Sequence, residues 1–213
     1  MSPVAASQPP TAKGASTRSM LLERAAGMAA HSGLEGLTIG ELAQAAGMSK
    51  SGVFAHFGSR EDLVRQTLDW VAGQFAGQVM APSLTRPRGL PRLRAIIDAW
   101  LGWLAAHPEG CVFAGATLEY DGRPGPMRDH VAQLMDNWRQ ALERAVGLAV
   151  EEGHFRPDTD PALVAFQLQA LMHGLHHARL HNPQAQALAR RAFDELFARL
   201  QSQPATPAAA PRR

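Results

Sequence analysis

The sequence has little of what several classes of protein require. Its 213 residues include one cysteine, so no disulfide can form within the chain, which suits a reducing compartment. No apolar run approaches the roughly 20 residues of a membrane-spanning helix, and the first residues lack the apolar stretch of a secretory signal. The formal net charge is only +2, which excludes a protein that coats nucleic acid through bulk charge. We therefore expect a cytoplasmic protein with no membrane partner.

Strand patterns are missing as well, whereas helical periodicity recurs along most of the chain. No segment alternates with period two for long enough to predict a strand. Residues 1–15 and 202–213 are rich in Pro, Ala, Ser and Gln, which predicts disordered tails. Between them we expect an all-α protein, in which a head of three helices at residues 16–66 precedes a larger helical domain at residues 67–201.

No residue pattern marks a catalytic centre, a metal site or a cofactor site. Glu119, Asp121 and His130 flank a Gly/Pro turn, but nothing nearby indicates a nucleophile or a substrate site. The histidine-rich stretch at residues 173–181 has no carboxylate or thiolate close in sequence to complete a metal site, so we expect interface or pocket-wall histidines there. The sequence thus predicts a protein that is not an enzyme and needs no cofactor or metal.

The most informative segment is residues 38–60, TIGELAQAAGMSKSGVFAHFGSR, which predicts two short helices joined by a tight turn. Thr38 begins a capping box before the first helix. Gly47 ends that helix, because glycine adopts the left-handed backbone conformation at little cost. Ser49 then caps a second helix at about residues 50–57. Two helices joined by a short turn that contains glycine form a helix-turn-helix.

This segment resembles the DNA-binding part of TetR-family transcriptional regulators. The helix at residues 17–31 is similar to that family's first helix, and GMSKSGVFAHFGSRE fits nearly every defined position of the pattern after the turn. Residues 110–126, GCVFAGATLEYDGRPGP, resemble a loop pattern of one subgroup. The resemblance implies a bacterial-type, ligand-responsive repressor. Such a protein binds a palindromic operator in double-stranded DNA as a homodimer and is released by a small, largely apolar effector.

The resemblance also assigns DNA contacts. Lys50 would read a base edge directly, whereas Gly52 offers little side chain for readout, so DNA shape and half-site spacing would add specificity. Phe54 stands where tyrosine is commoner in the family, so a phenolic hydrogen bond to phosphate is missing. The expected DNA-contacting residues are Thr38, Ser49, Lys50, Ser51, Gly52, Phe54, His56 and Arg60.

The larger domain is expected to hold a ligand pocket and a dimer interface. Large apolar side chains cluster in its middle helices, although such residues more often fill a core. The helix after Pro161 is apolar on every side and the last helix carries an apolar stripe, so two helices from each chain would form a four-helix interface. The expected pocket residues are Trp100, Trp103, Phe113, Met135, Trp138 and His173. The expected interface residues are Phe166, Ala170, Gly174, His177, Phe193, Leu196, Phe197 and Leu200.

The helix from Arg60 to Met80, which Pro82 is expected to end, would carry the effector's signal to the head. An alternative reading is a helical ligand-binding dimer whose DNA binding is weak or vestigial. The small side chains at Gly52 and Ala55 leave that alternative open.

Overall fold

The computed structural model describes residues 12–201, which form ten α-helices and one π-helical turn at Ala76–Met80. The all-α expectation is confirmed, since the β-type pairing among these residues is limited to an isolated bridge between Phe155 and Gln201. None of the helices described is both long and apolar enough to cross a membrane. In chain order the α-helices are α1 Ala12–Ser32, α2 Ile39–Ala46, α3 Lys50–Phe57, α4 Arg60–Phe75, α5 Ala81–Leu84, α6 Leu90–Ala106, α7 Val112–Tyr120, α8 Pro126–Glu151, α9 Pro161–Ala178 and α10 Ala185–Leu200.

The first of two compact units contains the helix-turn-helix. It is made of two stretches of the chain, one up to Ala76 and the other Leu104–Leu134, so α7 belongs to it. Within it α1 packs against α2, α4 and α7. The head expected at residues 16–66 therefore shares its core with a segment from much later in the chain. The most deeply buried leucines of this core are Leu21, Leu34, Leu37, Leu42, Leu63 and Leu68.

The second unit comprises Gly77–Trp103 and the chain from Met135 onward. Its core is built from apolar stripes of four helices: Leu93 on α6, Leu142 on α8, Leu168 on α9 and Phe197 on α10 are each 1% exposed or less. The apolar residues of each stripe recur at helical spacing and face inward, as the periodicity of the sequence predicts.

The helix that leaves the head does not end at Pro82, so that expectation was wrong. After α4 the chain passes through the π-helical turn into α5, and Pro82 lies in the first turn of α5. Proline is tolerated in the first turn of a helix, and the π-helical turn just before it changes the hydrogen-bond register of the chain. The chain consequently stays helical as far as Leu84.

The N-terminal boundary also differs from the expectation. Helix α1 begins at Ala12, so residues 12–15, which composition assigned to a tail, are helical. The other tail residues, 1–11 and 202–213, lie outside the described residues, and their disorder stays a prediction.

The apolar stripe of α10 belongs to the core of one protomer, which corrects the interface expected there. Phe193, Leu196 and Phe197 are 2%, 8% and 1% exposed. Phe193 meets Trp100 edge-on, with ring centroids 6.3 Å apart, and the ring of Phe197 lies 6.0 Å from that of Phe155. These side chains are already covered within the chain, so they cannot form a surface for a second copy. Leu200, at the end of the stripe, is half-buried.

Alanine substitutions at two phenylalanines test whether the α10 stripe belongs to the core of one protomer. Phe197→Ala should lower the free energy of unfolding by about 3–5 kcal/mol, because it leaves a cavity in a closed core. Phe166→Ala, at a position 68% exposed on α9, should change the intrinsic stability of the protomer by less than about 0.5 kcal/mol. Urea unfolding at several protein concentrations measures both losses. A loss for Phe166→Ala as large and as independent of concentration as that for Phe197→Ala would contradict the assignment.

Candidate nucleic-acid interface

The helix-turn-helix is defined by local caps that match the sequence pattern. The Thr38 hydroxyl accepts a hydrogen bond from the Glu41 amide at 3.1 Å. Gly47 ends α2 with φ of 65°, in the left-handed region. The Ser49 hydroxyl accepts from the Gly52 amide at 3.1 Å and so caps α3, which spans Lys50–Phe57 as predicted. The caps fix both ends of the turn, and therefore the angle at which α3 leaves α2.

Helix α3 turns two residues into the core and leaves a distinct outer face. Val53 is fully buried and Phe57 is 4% exposed. On the outer face Lys50 and Ser51 are exposed, and the aromatic ring of Phe54 is 54% exposed. Phe54 thus places an exposed apolar side chain beside the polar groups of Lys50 and Ser51. The outer face of α3 is therefore a candidate contact surface.

Lys50 lies across the first turn of α2, because Gly40 leaves room for it. A Cβ atom on Gly40 would come within 3.1 Å of Lys50 Cε and 3.5 Å of its Nζ. The same point lies 3.9 Å from the Thr38 hydroxyl, so the lysine ammonium shares this corner with the N-terminus of α2. A cation and a helix N-terminus both favour an anion such as phosphate. Gly40 was not identified from the sequence, where its signal is a glycine in the first turn of an otherwise good helix.

The remaining expected DNA contacts of α3 are spread from its N-cap to its last turn. The hydroxyl oxygens of Ser49 and Ser51 are 3.1 Å apart, so the cap of the helix and the exposed serine are hydrogen-bonded to each other. His56 is half-buried, and its ring is tilted against that of Phe57 with centroids 6.4 Å apart. Gly52 serves the cap through its amide. DNA contacts by these residues stay a prediction.

Arg60 has an intramolecular role that the sequence did not reveal. Its Nε donates to the Leu37 carbonyl, and its Nη2 donates to the carbonyls of Leu34 and Glu35, each at 3.0 Å. The Glu35 carboxylate lies 3.7 Å from the same Nη2. Arg60 therefore holds the α1–α2 loop, residues 33–38, against the start of α4. The phosphate contact expected of Arg60 stays a prediction for the remaining nitrogen, Nη1.

The expected pocket residues divide between the units. Phe113 belongs to the first unit, where its ring meets that of Phe75 edge-on at 6.3 Å. His173 is exposed on the outer face of α9, which corrects its assignment to a pocket wall. The others are half-buried in the second unit, and they are Trp100, Trp103, Met135 and Trp138.

Helix α9 carries an exposed apolar face and contains no Asp, Glu, Lys or Arg in its 18 residues. Leu163 and Phe166 are 55% and 68% exposed. Four of the expected interface residues recur on this face at helical spacing. They are Phe166, Ala170, Gly174 and His177, and all are exposed. On α10 the exposed apolar residue is instead Leu188, 47% exposed, which the sequence analysis missed because the buried stripe is the stronger signal.

Several histidines lie in the last turns of α9 and just after it. The rings of His177 and His181 stand edge-on with centroids 5.6 Å apart. Burial, followed by the nearby charge of Arg179, lowers the pKa of His176. Across residues 12–201, no group of three or more His, Cys, Asp and Glu side chains is arranged to hold a metal ion.

Two family models match the chain. Residues 21–67 match the model described as bacterial regulatory proteins, tetR family, and residues 89–193 match the tetracyclin repressor-like C-terminal domain. The HTH-type transcriptional repressor KstR2 of Mycobacterium tuberculosis is 31% identical over 156 residues, which cover 70% of this chain and 74% of that repressor. KstR2 of Mycolicibacterium smegmatis is 30% identical over 169 residues, or 77% of each chain.

Solved structures share the fold. A TetR-family regulator from Cytophaga hutchinsonii superposes with a TM-score of 0.75 at 20% identity, covering 92% of this chain and 100% of its own. AibR in complex with isovaleryl coenzyme A and operator DNA gives a TM-score of 0.67 at 23% identity, covering 84% of this chain and 98% of its own. Helix-turn-helix, family models and repressor relatives agree, and the chain therefore belongs to the TetR family of ligand-responsive, DNA-binding transcriptional repressors, which are regulators and not enzymes.

Proposed function

We propose that α3 enters the major groove of a palindromic operator and that Lys50 contacts a base there. The observation that carries this proposal is the outer face of α3, where a lysine, a serine and an exposed phenylalanine stand on a helix capped at both ends. Lysine and serine donate hydrogen bonds to base edges or phosphates, and an aromatic ring packs against the sugar. Since its operator would lie on the bacterial chromosome, we place the protein in the cytoplasm.

We propose that the exposed face of α9 pairs with the same face of a second copy. A helix with no charged residue, and with Leu163 and Phe166 largely exposed, would otherwise leave an apolar patch in water. Pairing about a two-fold axis buries that patch and presents two recognition helices. Operator half-sites should then lie about one helical turn apart, roughly 34–36 Å.

We propose that a small, largely apolar effector binds among the half-buried aromatic residues of the second unit. Trp100, Trp103 and Trp138, with Met135, are large apolar side chains that are only half-buried, and a pocket for such an effector is mostly apolar. The effector releases DNA only if it binds one pose of the dimer more tightly than the pose with operator spacing. AibR, which shares the fold, is described in complex with both operator DNA and isovaleryl coenzyme A.

Lys50→Ala should weaken binding to the operator at least about tenfold and lower the salt dependence by about one ion, because one contact to base or phosphate is lost. The probe is the tightest duplex recovered by the wild-type protein from random-sequence DNA, measured by fluorescence anisotropy at two salt concentrations. Arg144→Ala is the matched control, since it removes one positive charge from an exposed position on α8. Equal losses for the two variants would sink the proposed role of Lys50.

Phe54→Tyr should tighten binding to the same duplex by about fivefold, because the added hydroxyl can donate a hydrogen bond to a phosphate. Phe54→Ala should weaken it, because the ring packs against the sugar-phosphate backbone in this account. The Phe54 ring is 54% exposed, so neither change disturbs the core. Identical affinities for the tyrosine variant and the wild type would show that this position does not face a phosphate.

Ala170→Glu should raise the dissociation constant of the dimer by at least about a hundredfold, because it places two like, desolvated charges near the two-fold axis. Operator binding should weaken in parallel. Ala132→Glu, at an exposed position of α8, adds the same side chain away from the proposed interface. Sedimentation velocity across a range of concentrations compares them, and a dimer unaffected by Ala170→Glu would exclude this face as the interface.

A further inference from the structure

The α1–α2 loop is held from one side by a carboxylate of α7. Glu119 Oε1 accepts a hydrogen bond from the Leu34 amide and Oε2 accepts one from the Glu35 amide, both at 2.9 Å. One carboxylate thus binds two consecutive backbone amides. Hydrogen bonds to an ionised acceptor are stronger than those between neutral groups. The contact joins residues that are 85 and 84 positions apart in sequence.

Two glycines make this contact possible. Gly33 has φ of +79°, which points the next two amides toward α7, and a Cβ atom there would lie 2.5 Å from Glu119 Oε1. Gly110, which precedes α7 at φ of +150°, packs directly on the Ala30 carbonyl of α1, where no side chain fits. A Cβ atom at Gly33 would displace the Glu119 carboxylate from the two amides, and one at Gly110 would push the start of α7 away from α1.

Arg60 binds the backbone carbonyls of the same loop. That guanidinium takes the carbonyls of Leu34, Glu35 and Leu37, while Glu119 takes the amides of the first two. Both the backbone N–H groups and the backbone carbonyls of the loop are therefore hydrogen-bonded to side chains from other helices. It ends at Thr38, the N-cap of α2, so its position determines where α2 begins.

Charged side chains surround the contacts that Glu119 and Arg60 make with the α1–α2 loop, which are called the grip below. Arg123, just after α7, pairs with the Glu35 carboxylate. Tyr120 is 9% exposed beside them, and burial, together with the charge of Glu35, raises the pKa of its hydroxyl. The end of α7 and the α1–α2 loop thus form one network of hydrogen bonds and ion pairs within the first unit.

We propose that Glu119 is a positioning residue for DNA binding: through the α1–α2 loop it holds α2, and with it the recognition helix α3, in the pose that fits the operator. The inference rests on the proposed function of α3.

Glu119→Gln tests the proposal. The amide keeps the size of the side chain but loses the charge and turns a donor toward a backbone N–H, so one of the two hydrogen bonds is lost. Glu109→Gln is the matched control, because it removes the same charge from an exposed position on the loop before α7. Each variant loses one negative charge, so the two have the same net charge. Glu119→Gln should nevertheless bind the selected duplex about tenfold more weakly than Glu109→Gln.

Hydrogen exchange shows whether the grip itself is responsible. In Glu119→Gln without DNA, the amides of Leu34 and Glu35 should exchange faster than in Glu109→Gln, and α2 and α3 should lose protection with them. Faster exchange at the loop with equal DNA affinity for the two variants would overturn the proposal. So would an unchanged exchange pattern.

Two further comparisons keep the result unambiguous. If Glu119→Gln does not fold, as judged by circular dichroism, the wild-type protein supplies the test: adding the selected duplex should increase protection at Leu34 and Glu35, and no increase would overturn the proposal. If the wild-type protein selects no sequence at all, the proposed function fails, whereas the exchange difference between the two variants still reports on the grip.

Discussion

The recognition helix depends on contacts outside itself, because eight residues are too few to form a stable helix in water. Ser49 and Gly58 cap its two ends. Val53 and Phe57 anchor its inner face in the core of the first unit. The other short helix, α2, is held in the same way by Thr38 and Gly47. A DNA-reading surface built on such elements moves whenever the packing beneath it moves. That sensitivity lets a ligand bound elsewhere control binding to DNA.

The parts of the fold that the sequence predicted well are those with local signals. The bounds of α3 and its caps follow from a few adjacent residues, so the pattern was sufficient to place them. The interface on α10 was wrong because Phe193 and Phe197 meet aromatic rings that lie far away in the chain. Periodicity shows that a helix has an apolar face, but it does not show what covers that face. On α9, Leu163 and Phe166 stay exposed in the protomer, and the interface expected on that helix stays a prediction.

In the candidate site, too, the sequence identified the residues with local signals and missed those with distant partners. Phe54 and Lys50 were found from the motif, and the structure leaves both exposed. The structural roles of Arg60 and Glu119 were not found, because their partners are backbone groups, which carry no signal in the sequence. Gly33, whose Cβ would meet the Glu119 carboxylate, was not identified from the sequence either. Polar side chains that bind distant backbone therefore set the geometry of this head, although the motif names the residues that would touch DNA.

The central claim is that two copies of this chain present their α3 helices to one palindromic operator. Selection of bound fragments from random-sequence DNA by the purified wild-type protein tests it most directly. We expect one recovered motif with two inverted half-sites about one helical turn apart, bound by an even number of chains. Recovery of a single, non-repeated site, or of no common motif with uniformly weak and salt-sensitive binding, would contradict it.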